Sequence, residues 1–169
     1  MRKAVMLVLG LGLTAALVAP ALGLGGGDGR KVVDAKVLAP VTEPYTGSAN
    51  PIRGLAGGGL PWQLGSGEVD LRAGGQLHVD VEGLVLAQRA PVPANLQGTN
   101  PIPQFKAIVS CQTITEGAAT VSNVSTPAFD ATSTGDVTFD TTVTLPSPCF
   151  APIVFVTAPN GAWFAATGH

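Results

Sequence analysis

The sequence predicts an all-β protein, a single antiparallel β-sandwich of about seven or eight short strands. Apolar and polar residues alternate in several stretches, the pattern of a strand with one buried face. Turn residues, mainly glycine, proline and asparagine, separate these stretches. After the N-terminal apolar run, no stretch shows the apolar repeat of about 3.6 residues that predicts a helix. With 169 residues, the chain has the length of one domain.

The first 21 residues have the pattern of a secretory signal peptide. The basic residues Arg2 and Lys3 precede an apolar run over 4–18, and an Ala-x-Ala cleavage sequence follows. The run is about 15 residues long, shorter than the ~20 needed to cross a bilayer as a helix. We therefore expect cleavage of 1–21, a secreted or extracytoplasmic protein, and no membrane span in the mature chain. A flexible glycine-rich leader at 22–31 then precedes the sandwich domain at 32–169.

The stretch KVVDAKVLAPV is the first predicted strand, and it ends at Pro40. The following residues, 43–67, are so rich in glycine and proline that they exclude a helix and a central strand. A loop of this length in a compact domain is either functional or poorly ordered. Its Tyr45, Arg53 and Trp62 are residue types that anchor interfaces, so the loop is a candidate for binding a partner. In the alternative interpretation, Trp62 folds back and covers the open end of the sandwich.

The stretch EVDLRAGGQLHVDVEG predicts a β-hairpin whose register follows from its alternation. Opposite residues of an antiparallel pair share a face, so Leu71 lies opposite either Leu77 or Val79. Placing it opposite Leu77 leaves a three-residue turn and puts Asp70 opposite His78. The turn is then Ala73-Gly74-Gly75, and Gly75 is free to take the left-handed conformation that such turns need.

The predicted outer face of this hairpin is acidic. It carries Asp70, His78, Asp80 and Glu82, with Glu68 opposite Asp80. Carboxylate oxygens in such an arrangement are candidate ligands for a hard cation such as calcium. Asp80 and Glu82 also stand about 7 Å apart on one strand, a separation that inverting glycosidases use for their acid and base. The simpler interpretation is the solvated face of an amphipathic hairpin, with Asp70 and His78 as a weak pair.

Three further strands and a C-terminal hairpin follow. The stretch FKAIVSCQTI points Phe105, Ala107, Val109 and Cys111 inward. The next two strands are ATVSNVSTPAF and DVTFDTTVTL, and the latter points its apolar residues to one side. Near the C terminus, two apolar runs flank Asn160-Gly161, the strongest short hairpin signal. Both faces of the last strand are then apolar, which predicts burial on both sides. A two-residue turn pairs Ala158 with Trp163, Thr157 with Phe164, Val156 with Ala165 and Phe155 with Ala166.

The two cysteines, Cys111 and Cys149, are expected to form a disulfide, because export places them in an oxidising compartment. In the chain-entropy model, closing this loop stabilises the fold by about 4 kcal/mol. Nucleophilic catalysis has little support, because His78 and His169 are the two histidines and no G-x-S-x-G motif occurs. The sequence therefore predicts no catalytic residue.

Net charge excludes two classes of partner. Without Arg2 and Lys3 of the signal peptide, the chain keeps seven basic and eleven acidic side chains, a net charge of −4. This balance provides no basic surface for nucleic acid and no polybasic segment for an anionic membrane.

Three stretches of the chain are distinctive as strings: ANPIRGLAGGGLPW, GTNPIPQFKAIVSC and LPSPCFAPIVFVTAPNGAWFAATG. Through them the chain resembles, from about residue 43 to residue 168, a group of uncharacterised exported bacterial proteins of the actinomycete type. The resemblance implies export and a single domain, and it implies no activity, ligand or catalytic residue.

Two classes of function follow. In the first, a non-catalytic exported β-sandwich binds a cell-surface or glycan partner through its loops. In the second, a small secreted hydrolase works from the acidic face of the hairpin. The scarcity of histidine and the pairing of both cysteines favour the first class, without a cofactor unless the acidic face holds calcium.

Overall fold

A computed structural model describes residues 29–168 of the chain. The predicted signal peptide at 1–21 and most of the leader lie outside the described residues, as does His169. Residues 29–168 contain no helix, and therefore none long and apolar enough to cross a membrane. The strands in this part of the chain are β1 Lys31–Ala35, β2 Leu38–Pro40, β3 Trp62–Gln63, β4 Ser66–Arg72, β5 Gln76–Glu82, β6 Val85–Leu86, β7 Gln104–Thr115, β8 Ala118–Ser125, β9 Phe129–Asp130, β10 Val137–Thr142, β11 Phe150–Thr157 and β12 Trp163–Thr167.

Two antiparallel sheets form the sandwich. The four-stranded sheet has the order β1-β4-β5-β10, and the six-stranded sheet has the order β2-β12-β11-β7-β8, with β9 paired to β7. Strands β3 and β6 pair with each other. The predicted all-β antiparallel sandwich is confirmed. The strand count exceeds the predicted seven or eight because β2, β3, β6 and β9 are segments of only two or three residues.

The β4–β5 hairpin has the register that the alternation and the three-residue turn predict. Leu71 pairs with Leu77, and Asp70 pairs with His78. Gly75 closes the turn with a φ of 86°, in the left-handed region that the turn requires. The inward-pointing residues of this hairpin are completely or almost completely buried; they are Val69, Leu71, Leu77, Val79 and Val81.

The six-stranded sheet has an inner face that contacts the core and an outer face that the 43–67 loop covers in part. On the inner face of β7, Phe105, Ala107, Val109 and Cys111 are fully buried, as predicted. Alternation places Ser110 on the opposite, outer face. Its partners in the neighbouring strands are Ile153 and Asn123, so these side chains lie on the outer face too.

The C-terminal hairpin confirms half of its predicted register. Phe155 pairs with Ala166 and Val156 with Ala165, but Thr157 pairs with Trp163 instead of Phe164. The prediction failed there because a bulge interrupts the ladder after Val156. The turn is also longer than two residues, since the Ala158 N–H donates to the Ala162 carbonyl at 2.8 Å. All five residues of β12 are buried, as expected of a strand covered on both faces.

The predicted disulfide joins Cys111 to Cys149, and the Cα atoms are 5.0 Å apart. Cys111 lies on the inner face of β7, and Cys149 immediately precedes β11, the neighbour of β7. Strand pairing therefore brings the two cysteines together. No free cysteine remains among the described residues.

Candidate functional site

The acidic outer face of the four-stranded sheet consists of cross-strand pairs. The Lys31 ammonium donates to Asp70 at 2.7 Å, and this hydrogen bond lowers the pKa of Asp70 below its ordinary value. His78 Nδ1 lies 2.9 Å from an oxygen of Asp140, which is an exposed residue of β10. From the sequence, Asp70 was the one predicted partner of His78. Alternation within one hairpin does not reveal which strand lies on the other side of β5.

The other candidate ligands on this face also have partners. Asp80 accepts a hydrogen bond from the Thr138 hydroxyl at 2.9 Å. Glu82 accepts one from the Ser66 hydroxyl at 3.1 Å. Within residues 29–168, no three His, Cys, Asp or Glu side chains are grouped so that they could hold a metal ion. The structure thus does not gather Asp70, His78, Asp80 and Glu82 around one point, because each contacts a different neighbour.

The 43–67 loop is ordered and attached to the sheet. It contains β3 and the first two residues of β4, which the sequence did not predict. The Gly58 N–H donates to the Trp163 carbonyl at 2.8 Å, and the Trp163 N–H donates to the Ala56 carbonyl at 3.0 Å. These bonds add a short parallel segment of the loop to β12 at the position of the bulge. The high glycine content therefore accompanies close packing and not disorder.

Two glycines allow this approach. A Cβ atom on Gly57 would lie 2.0 Å from the Tyr45 carbonyl oxygen, and one on Gly58 would lie 3.0 Å from the Phe164 ring. Only a residue without a side chain fits between Tyr45 and Trp163 at position 57.

Trp62 is a core residue. It is 3% exposed, and its indole stacks on the Phe164 ring with centroids 3.9 Å apart. Phe105 meets the same indole edge-on at 6.3 Å. Trp62 thus folds back onto the sandwich, which is the second of the two interpretations of this residue in the sequence. Trp62 is therefore not an accessible anchor for a partner, because the stacking buries it in the core.

Arg53 fixes the tip of the loop to the sheet. Its guanidinium donates to the Ser110 carbonyl at 2.9 Å and to the Ala151 carbonyl at 2.6 Å. The Asn123 side chain donates back to the Arg53 carbonyl at 3.1 Å. Partial burial lowers the pKa of the guanidinium below its ordinary value. Arg53 thus attaches the loop to β7, β8 and β11, and both hydrogen bonds of its guanidinium go to the protein's own backbone.

Tyr45 is the candidate loop residue that stays accessible, and it borders an apolar cleft. Its side chain is 44% exposed. The cleft lies between the loop and the outer face of the six-stranded sheet, and it has a volume of about 400 Å³. We call it the Tyr45 cleft. Its lining includes no Asp, Glu, His, Lys or Arg; the lining residues are Ala39, Pro40, Thr42, Tyr45, Ile52, Ile153, Phe155, Trp163, Ala166 and Thr167.

One residue of the lining, Trp163, has a buried polar group without a partner. Trp163 is 3% exposed, and its indole N–H has no hydrogen-bond partner in the described part of the chain. Buried polar groups are usually paired, and an unpaired donor costs about 1–3 kcal/mol. Sequence reasoning assigned Trp163 to the core and did not place it beside Tyr45. The hydrophobicity of β12 predicts that Trp163 is buried. Its position beside Tyr45 depends on where the 43–67 loop packs, for which the sequence has no signal.

Comparison of the chain with protein-family models, curated proteins and solved structures finds no match.

Proposed function

We propose that this protein is an exported, non-catalytic β-sandwich that binds a ligand in the Tyr45 cleft. The observation that carries the proposal is the cleft itself, an open apolar hollow beside the exposed ring of Tyr45. Its volume of about 400 Å³ lies within the range of small-molecule sites. Export is supported by the signal-type N terminus, and the disulfide is consistent with an extracytoplasmic location.

The lining selects the chemistry of the ligand. Ile52, Ile153 and Phe155 offer apolar contact, and no charged side chain of the lining compensates a charged ligand. The hydroxyls of Thr42 and Tyr45 offer hydrogen bonds to a neutral oxygen. The ligand is thus an uncharged, mainly apolar group that carries an acceptor oxygen, such as an acyl ester. This chemistry fits an acylated cell-surface component better than a glycan, whose many hydroxyls need more polar partners.

Titration with methyl octanoate, followed by NMR, tests the proposal. The protein has two tryptophans, so its two indole N–H signals report on Trp163 in the cleft and Trp62 in the core. We expect the ester to shift the Trp163 signal and to leave the Trp62 signal nearly in place. The Tyr45→Ala variant should bind at least about tenfold more weakly, which corresponds to losing one contact of about 1.4 kcal/mol. Phe150→Ser is the matched control, because Phe150 is 54% exposed and lies outside the cleft.

The same titration separates the binding protein from the hydrolase. Hydrolysis of the ester releases methanol, which has its own NMR signal. Methanol release that disappears in Asp80→Asn and Glu82→Gln, and persists in Tyr45→Ala, would replace the proposed function with the hydrolase. An unshifted Trp163 signal, or binding that Tyr45→Ala leaves unchanged, would remove the cleft as the site.

A further inference from the structure

Strand β8 is an edge of the six-stranded sheet and has an unusual composition for an edge. Its eight residues, AATVSNVS, include no charge and no proline. It pairs with β7 over its whole length, from Ser125 opposite Ile108 to Ala118 opposite Thr115, without a bulge. Among the described residues no strand pairs with its other side. Long, regular, uncharged edges are the ones that accept another strand, because their unpaired N–H and C=O groups stay available.

The other edges of the two sheets have the usual protection. Strand β1 carries Lys31 and Asp34, and its ladder with β4 is irregular. Strand β2 has three residues and ends at Pro40. Strand β10 carries Asp140. Charges, prolines, bulges and short length all discourage edge-to-edge pairing. The composition of β8 therefore contrasts with that of the edges around it.

We propose that two copies of this chain pair through β8, antiparallel, about a two-fold axis. In such a dimer a charge near the axis would face an identical charge, and β8 has none. Two copies side by side in one sheet are related by a two-fold axis perpendicular to that sheet. Opposite residues then share a face, so at the axis one residue of the strand lies opposite the same residue of the other copy. Val121 is the favoured position, because it places a β-branched apolar residue opposite itself and Ala119 opposite Asn123.

The surface beside this edge supports the same occupant. Val121 is 43% exposed, and Ile114 on the neighbouring strand is 53% exposed. Ile114 pairs with Ala119, so it lies on the same outer face as Val121. In the dimer the two Val121 side chains meet at the axis, and each Ile114 lies one strand farther from it. The contact is limited to one strand from each copy, which corresponds to the lower end of interface sizes and a reversible dimer.

The geometry has a consequence for binding that depends on the proposed function. Asn123 on β8 and Ile153 at the Tyr45 cleft lie on the outer face of the six-stranded sheet. An axis perpendicular to the sheet keeps both outer faces on one side of the dimer. The two clefts therefore point to the same side, and the dimer would bind a surface that displays the ligand with two sites at once.

Sedimentation equilibrium of the mature protein tests the dimer. We expect a concentration-dependent monomer–dimer equilibrium, whose dissociation constant rises at least about tenfold in Val121→Lys because two ammonium groups meet at the axis. Ile114→Lys is the control, since it lies on the same face but not on the edge strand, and it should still dimerise. A wild-type protein that stays monomeric at all concentrations would overturn the proposal. Equal weakening by both substitutions would also overturn it, because the contact would then be made by the face.

Cysteine cross-linking tests the register. Val121→Cys should form a disulfide between two copies under mild oxidation, because each new thiol faces its counterpart. Ala119→Cys should not, because its counterpart is Asn123. Cross-linking of Ala119→Cys alone would refute the axis at Val121. Sedimentation and cross-linking need no ligand, so failure of the Tyr45 cleft to bind leaves their outcome unchanged.

Discussion

Substituting Gly57 by alanine should damage both the fold and the Tyr45 cleft. An alanine Cβ at this position would lie 2.0 Å from the Tyr45 carbonyl oxygen and 2.8 Å from a methyl carbon of Val41. Real Cβ atoms stay beyond 3.0 Å, so the Tyr45 backbone must withdraw by about 1 Å. The loop resists this movement, because Gly57 also donates to the Gly47 carbonyl at 3.0 Å.

The expected loss of stability is that of an overpacked site, about 1–3 kcal/mol. For a domain of this size, each kcal/mol lowers the melting temperature by about 4 °C. Differential scanning calorimetry should therefore show a decrease of about 4–12 °C for Gly57→Ala. Because Tyr45 borders the cleft, the affinity for methyl octanoate should fall as well.

Gly59→Ala is the matched control for this experiment. A Cβ at Gly59 meets nothing within 4 Å, although the position is only two residues away. Its stability should stay within about 0.5 kcal/mol of the wild type. Equal melting temperatures for the two variants would refute the reasoning, since the close contact with Tyr45 would then carry no cost. If Gly57→Ala is destabilised but binds the ligand with unchanged affinity, the position of the loop does not determine binding.

Two further predictions concern stability. Replacing Cys111 and Cys149 together by alanine should lower the free energy of unfolding by about 4 kcal/mol, the chain-entropy value for the loop that they close. Urea denaturation measures this loss, and an unchanged midpoint would contradict a stabilising role of the disulfide. Hydrogen bonds from the Thr134 hydroxyl and the Gly83 N–H lower the pKa of Asp136 below its ordinary value of 3.8, so the folded state binds its proton less readily than the unfolded state does. The stability that these bonds contribute is present above about pH 4 and is lost as the pH falls through the lower, folded-state pKa. Asp136→Asn should therefore lose less stability than the wild type between about pH 5 and pH 2 in urea denaturation, and parallel pH profiles would contradict the assignment.

The sequence alone was sufficient for the features that depend on one strand or one turn. Alternation predicted the β-sandwich, because a shift by one residue would turn every apolar side chain of the hairpin to solvent. Alternation together with the three-residue turn predicted the pairing of Leu71 with Leu77. The presence of two cysteines in a chain with a signal-type N terminus predicted the disulfide. The acidic outer face was also predicted, but the pairing of His78 with Asp140 was not. That pair joins two strands that are far apart in the chain, and their order in the sheet has no local signal.

The tertiary structure alone decided the Tyr45 cleft. The 43–67 loop lacks the alternation of a strand, and its glycines suggest freedom when they are read along the chain. In the folded protein, Gly57 and Gly58 instead let the loop lie directly against Trp163 and Phe164. This packing buries Trp62, uses Arg53 as an anchor and leaves Tyr45 at the surface. Contacts between segments distant in sequence thus decided which aromatic residue stays accessible. A pattern of residue types indicates which face of a strand is buried, but it does not indicate the surface on which a loop packs.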